Sequence, residues 1–178
     1  MDQFLNLLLP ALISSSIVGV AIGLIFKKRN ETIAAEVRNQ FEQNMTIFKT
    51  NYLWKEKSVS ELLGQIYIQF NRTNRAFNRY KNTNLYLEAK VLKDGNEKIR
   101  NLLLEKAHLI PAELIDDANQ LIEHYDVWLE EFARHRDSEN PNLDQKFIYA
   151  GPLGFRFPKK AEENFKNKYH ELRNELYA

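Results

Sequence analysis

Cysteine is absent from this 178-residue sequence, and glycine and proline are scarce, with six and five residues. Without cysteine the chain can form no disulfide framework, no Cys-ligated zinc site and no thiol nucleophile. It also lacks the phosphate-binding patterns G-x-x-x-x-G-K-[ST] and G-x-G-x-x-G and the serine-nucleophile pattern G-x-S-x-G. No strand-like alternation of apolar and polar residues appears, so Rossmann and P-loop enzymes are excluded.

The four histidines give little support for a metal site. Glu105 and His108 form an E-x-x-H pair, the spacing that di-iron sites use in helical bundles. Such a site needs a second E-x-x-H pair, and none of His124, His135 and His170 has an acidic residue three positions earlier. We therefore predict no metal, no cofactor and no enzymatic activity.

The formal net charge of +1 hides an uneven distribution along the chain. Residues 27–106 carry 16 Lys and Arg against 9 Asp and Glu, whereas residues 107–178 carry 9 against 14. Arg72, Arg75 and Arg79 line one helical face of the basic part, with aromatic residues between them. Such a stripe is one signature of an anionic ligand. We favour pairing of these arginines with the acidic helix predicted over about residues 111–136. Nucleic acid is a disfavoured partner.

The longest apolar stretch runs from Gln3 to Phe26 without a charged residue. Phe4–Phe26 spans 23 residues, about 34 Å of helix at ~1.5 Å per residue, which is enough to cross a hydrocarbon core of ~30 Å. A secretory signal peptide is disfavoured, because its positive charge would precede a shorter apolar run. We expect residues 1–29 to form a transmembrane anchor with a basic flank against lipid headgroups, made of Lys27, Lys28 and Arg29.

The basic flank also predicts the orientation of this anchor in the bilayer. Positive residues favour the cytoplasmic side, so the N-terminus should lie outside a bacterial inner membrane and the remaining chain in the cytoplasm. Small residues recur every four positions within the anchor, at Ala11, Ser15, Gly19 and Gly23. Small side chains let two membrane helices approach closely, so this row predicts self-association and a homo-oligomer.

Beyond the anchor, apolar residues recur at helical spacing. Over residues 59–80 the steps alternate between four and three, the seam of a coiled coil or of a long bundle helix. We predict an all-α fold in which a long, amphipathic, coiled-coil-like helix leads into an antiparallel bundle, with residues 30–178 forming a cytoplasmic domain. The predicted helices cover about 31–81, 85–109, 111–136 and 158–177. Whether Gly95 breaks the second of these stays open.

An aromatic segment rich in glycine and proline precedes the last predicted helix, over residues 147–158. We favour a connection that covers the end of the core as a lid. The alternative is a docking loop, because an exposed aromatic cluster of this size would mark an interaction site. The residues concerned are Phe147, Tyr149, Phe155, Arg156 and Phe157.

These patterns favour a single-pass, membrane-anchored scaffold or interaction protein. We expect it to associate with itself or to bind a cytoplasmic protein partner through its helical bundle. The alternative is a membrane-acting effector or toxin, in which clustered transmembrane helices perturb the bilayer, a layout similar to small effectors of bacterial defence systems. The sequence identifies neither the partner nor the number of subunits.

Overall fold

The computed structural model describes the backbone of residues 2–79, 85–137, 140–143 and 156–177, and it describes side chains from Val18 onward except at Leu85. Every regular element in these ranges is helical, which confirms the predicted all-α class. The α-helices are α1 (Asp2–Lys57), α2 (Gly64–Arg79), α3 (Leu85–Leu87), α4 (Asp94–Glu105), α5 (Ile115–Arg136) and α6 (Lys159–Tyr177). Two π-helical segments, Ser58–Leu63 and Glu88–Lys93, and two 3-10 turns, Ala107–Leu109 and Ala112–Leu114, lie between them.

The chain divides into two units, residues 1–50 and residues 51–178. In the first unit, helix α1 is the one described element, and all of its side chains from Val18 to Thr50 are exposed. No described helix has a stretch long and apolar enough to cross a membrane. The predicted span Phe4–Phe26 has described side chains at Val18–Phe26 alone, and those of Ala11 and Ser15 lie outside the described residues.

The second unit is a bundle of antiparallel helices, as polar contacts at both ends of each helix pair show. Next to α2, Arg72 donates to the carbonyl of Lys90, in the π-helical segment that precedes α4, at 3.0 Å. Before the start of α2 and after the end of α4, Lys106 reaches Glu61 at 2.8 Å. The other neighbouring pairs are joined in the same sense, by Arg100–Asp126, Arg136–Glu88, Asn164–Asp117, Lys168–Glu113, Asn74–Glu162 and Lys55–Glu175.

The seam predicted over residues 59–80 forms much of the bundle core. Its apolar residues face the protein's own helices, and Thr73 is buried with them. Phe77 at the end of the seam is exposed, and Tyr80 lies outside the described residues. The core contains Val59, Leu62, Leu63, Ile66, Phe70, Ile99, Leu103, Leu109, Leu121, Tyr125 and Phe165, among others. The heptad pattern is therefore satisfied within one chain, as a bundle helix.

The first two predicted helices are each divided by a π-helical segment, the second of them by Glu88–Lys93. The helix predicted over about 31–81 is divided by the π-helical segment Ser58–Leu63, whose wider turn carries one extra residue per backbone hydrogen bond. Gly95 does not break the second helix: it lies inside α4, where an added Cβ would come within 2.4 Å of the Thr73 side chain. Its glycine is required by a close approach of two helices and not by a turn.

Candidate functional site

In the first unit, helix α1 exposes a set of large apolar side chains. Val37 is 60% exposed, Phe41 is 63% exposed and Phe48 is 65% exposed. Ile33 and Met45 are exposed on the same stretch. Large apolar side chains grouped on one helical face in water mark an interaction surface, because burying them removes the unfavourable contact with solvent.

The small residues Gly19 and Gly23 lie on the same side of α1 as these large apolar residues. At about 100° per residue, the side chains from residue 19 to residue 48 that fall on this side occupy an arc of about 120°. An added Cβ at either glycine would meet no atom within 4 Å. We define the α1 face as Gly19, Gly23, Phe26, Ile33, Val37, Phe41, Met45 and Phe48.

Most charged residues of this stretch lie beside the α1 face, but Lys27 falls at its edge, at the angle of Met45, and Asn30 and Asn44 fall within it. Arg38 and Glu42, one turn apart, form an exposed ion pair with 3.0 Å between Nε and Oε1. Glu31 and Lys49 lie on the same flank, so the signs alternate along the helix as Glu31, Arg38, Glu42 and Lys49. Such a flank presents no block of one sign that would repel a second helix.

The arginines of the predicted basic stripe have different surroundings. Arg72 is half-buried and donates to the carbonyl of Lys90 at 3.0 Å and to Oε1 of Gln69 at 3.5 Å. Arg75 and Arg79 are exposed. The acidic helix α5 meets basic residues of other elements, with Arg100 bound to Asp126 at 3.0 Å. Arg72 therefore bonds within α2 and to the segment before α4, and not to the acidic helix α5 as the sequence analysis predicted.

The predicted aromatic loop is described at its end alone. Phe147, Tyr149 and Phe155 lie outside the described residues. Arg156 is exposed, whereas Phe157 is half-buried and packs against the core. The ring of Phe157 meets that of His124 edge to face, with 5.3 Å between centroids. This part of the segment therefore covers the core beside α5.

A buried ion pair between Glu88 and Arg136 was missed by the sequence analysis. The side chain of Glu88 is 1% exposed and that of Arg136 is 6% exposed. Arg136 donates from Nε and from Nη2 to the two carboxylate oxygens, the second bond at 3.1 Å, and from Nη1 to the carbonyl of Asn142 at 2.7 Å. The available signal was the position of Glu88, which stands between Leu85 and Leu92 on the predicted apolar face.

The fold also changes the pKa values of several side chains in the bundle. The hydrogen bond from Lys106 holds the pKa of the Glu61 carboxyl below its usual value, and Lys168 does the same for the pKa of Glu113. Burial raises the pKa of the Tyr125 phenol, with the Glu162 charge adding to the effect. Among the described residues, no three His, Asp or Glu side chains come together as a metal site.

An open groove of about 450 Å³ lies between the π-helical segment Ser58–Leu63, α2, α4 and α6. Two basic side chains, Lys98 and Arg173, line it together with the amides of Gln65 and Gln69. The remaining lining residues are Val59, Ser60, Gly64, Ile68, Tyr169 and Tyr177.

Comparison of the chain with protein-family models, with curated proteins and with solved structures gives no match.

Proposed function

We propose that the protein is a single-pass, membrane-anchored helical scaffold whose bundle binds its partners in the cytoplasm. The observation that carries this proposal is the apolar surface of α1 from Val18 to Phe26. The side chains of Val18, Val20, Ile22, Leu24, Ile25 and Phe26 are all exposed. At about 100° per residue they occupy about 240° of the helix circumference, and Gly19 and Gly23 lie on the remaining side. A helix with no polar side chain on any side suits a bilayer.

The sequence on either side of these nine residues supports the same placement. The charge-free segment continues toward the N-terminus as far as Gln3, within the same helix α1. Lys27, Lys28 and Arg29 follow it directly, which favours a cytoplasmic location for the chain beyond. The bundle of residues 51–178 has its own core, so it is suited to fold in water beside the membrane.

Membrane fractionation of the full-length protein tests the anchor. We expect the protein to stay in the membrane pellet after alkaline carbonate extraction, and a C-terminal tag to become accessible to protease after the inner membrane is opened. Replacing Ile13 and Ile17 by lysine should move the protein to the soluble fraction, because each lysine near a span's centre costs about 2.5–3.5 kcal/mol. The matched control replaces both by leucine and should leave the protein in the pellet.

Release of the unmodified protein by carbonate would overturn the proposed anchor. A tag that is cleaved in intact spheroplasts would overturn the orientation while leaving the anchor in place. Tryptophan fluorescence checks the bundle in each variant, because Trp54 and Trp128 both lie in the second unit.

A further inference from the structure

We infer that two copies of this chain pack in parallel and in register through the α1 face. The partner is thus a second copy of the same helix, and the contact runs from Gly19 to Phe48. The parallel orientation rests on the proposed membrane anchor, because two chains inserted in the same sense run in the same direction. The contact surface itself is argued from the residues of the α1 face.

The spacing along the face is the first argument. Phe26, Val37 and Phe48 are 11 residues apart. Gly19 and Phe41 are separated by twice that interval, as are Gly23 and Met45. An 11-residue repeat corresponds to ~3.67 residues per turn, so these positions stay on one side of the helix over its whole length and favour a right-handed supercoil.

The two glycines favour the same handedness. Gly19 and Gly23 form a G-x-x-x-G pair, and membrane helices that pack through such a pair commonly cross in the right-handed sense. The small part of the face and the large apolar part are therefore compatible with one continuous contact. The seam over residues 59–80 does not follow this 11-residue spacing. Its residues recur in steps of four and three, and its apolar side chains pack within the bundle.

The area of the face is sufficient for a dimer. With their present exposure, the three phenylalanines and the Ile33, Val37 and Met45 side chains offer roughly 600 Å² per copy, from ~150–250 Å² for a whole aromatic side chain. If the second copy covered all of this area, the pair would bury roughly 1,200 Å², an upper limit that lies above the ~1,000 Å² expected of a specific interface.

The α1 face is complementary to itself, so the partner that fits it is a second copy of the chain in parallel orientation. In register, the glycines of one helix face the glycines of the other, and Phe41 and Phe48 face their own equivalents. In an antiparallel pair, Phe26 of one copy would lie opposite Phe48 of the other, and the apolar residues before Lys27 would be opposite the charged part of the helix. In the parallel pair, the apolar part of one helix before Lys27 lies beside the same part of the other helix, and the charged part lies beside the charged part.

Cysteine crosslinking tests this arrangement directly, because the natural chain contains no cysteine. Single-cysteine variants of the full-length protein would be oxidised in isolated membranes. Val37→Cys on the face should give a disulfide-linked dimer, since a disulfide needs Cβ atoms ~3.5–4.5 Å apart. Ala35→Cys and Asn39→Cys lie on the opposite side of the helix and are the matched controls, for which we expect little dimer.

A second experiment tests the two parts of the face together. In the Val37→Cys background, replacing Gly19 and Gly23 by leucine should lower the crosslinked fraction severalfold, because the helices can no longer approach closely. Ala21→Leu adds bulk on the opposite side of the helix and should leave the fraction unchanged. Equal loss in both variants would show that the glycines do not form the contact.

The outcomes separate the dimer from the anchor. Protein that stays in the membrane pellet but forms no Val37→Cys dimer, or forms equal dimer at all three positions, overturns the inference and leaves the anchor standing. A mixed dimer from co-expressed Phe26→Cys and Phe48→Cys chains overturns the parallel orientation. Absence from the pellet overturns the proposed function whether or not crosslinks form.

Discussion

Gly95 of α4 lies directly against Thr73 of α2, and a Cβ atom added to the glycine would be 2.4 Å from Thr73 Cγ2. Thr73 has little freedom to move away. It is buried, it is β-branched, and its hydroxyl donates to the carbonyl of Gln69 at 3.0 Å and to that of Phe70 at 3.2 Å. The two helices therefore meet at a point where one of them has no side chain.

The first prediction is that Gly95→Ala destabilises the bundle. Alanine is better than glycine in a helix by about 1 kcal/mol, but forcing a methyl group into this contact costs about 1–3 kcal/mol. We expect a net loss of about 1 kcal/mol in the free energy of unfolding. Urea denaturation followed by tryptophan fluorescence measures it.

The matched control uses the threonine methyl group that causes the clash. Thr73→Ser removes Cγ2 and keeps the hydroxyl, so Gly95→Ala should be harmless or stabilising in that background. If Gly95→Ala lowers stability equally with threonine and with serine at position 73, the close approach is not the cause.

The second prediction concerns the buried pair of Glu88 and Arg136. Arg136→Met leaves the Glu88 carboxylate buried without its main partner, so we expect a loss of about 3–5 kcal/mol in the free energy of unfolding. The double variant Glu88→Leu with Arg136→Met removes both charges and should recover most of that loss. Urea titration compares the three proteins, and a double variant as unstable as Arg136→Met would contradict the expected coupling.

The third prediction is a loss of stability in acid. Hydrogen bonds from Lys106 and Lys168 lower the pKa values of Glu61 and Glu113 from the ordinary value of 4.5. Carboxyl groups with a lowered pKa in the folded state stabilise it above the unfolded value, and this contribution disappears as the pH falls through the folded value. Thermal melts at pH 7 and below 4.5 should therefore show a lower melting temperature in acid.

Lysine variants separate these pairs from a general effect of acid. Lys106→Met removes the donor to Glu61, so its melting temperature should fall less between neutral and acidic pH than that of the unmodified protein. Lys98→Met removes an exposed lysine outside these pairs and should leave the acid dependence unchanged. The same acid dependence in all three proteins would assign the effect to other carboxylates.

The fourth prediction distinguishes two arginines of the basic stripe. Arg72→Glu loses the hydrogen bond to the Lys90 carbonyl, and we expect stability to fall by about 1–2 kcal/mol. Arg75 is exposed, so Arg75→Glu should change the free energy of unfolding by less than about 0.5 kcal/mol. Circular dichroism melts provide the comparison, and equal destabilisation by both reversals would show that the whole stripe contributes to packing.

Helical periodicity was sufficient to predict the all-α class and most helix positions. The apolar steps from Val59 to Phe70 predicted a packed helix, and these residues do face the core. The wide turn at Ser58–Leu63 was not predicted, because the four-residue step from Val59 to Leu63 is also what a regular α-helix shows. Gly64 was the local sign of it: a Cβ there would lie 2.8 Å from the carbonyl oxygen of Val59, five residues earlier.

Contacts between distant residues could not be predicted from spacing. Glu88 and Arg136 belong to different helices, and their pairing depends on how the bundle closes. The contact of Gly95 with Thr73 is equally tertiary, which is why the glycine could not be distinguished from a helix break. The α1 face, in contrast, depends on one helix alone, so its residues could be recognised from the sequence and their exposure from the structure.

The burial of Tyr125 gives the bundle its own optical indicator of opening. The phenol loses its proton with difficulty in the folded core, because burial raises its pKa, whereas the unfolded chain would ionise it near pH 10. In strong alkali, unfolding therefore releases a proton and creates a phenolate, which shifts the ultraviolet absorption of the ring. Base should thus destabilise the bundle above pH 10, and the absorbance step of this tyrosine would report the moment at which the core admits water.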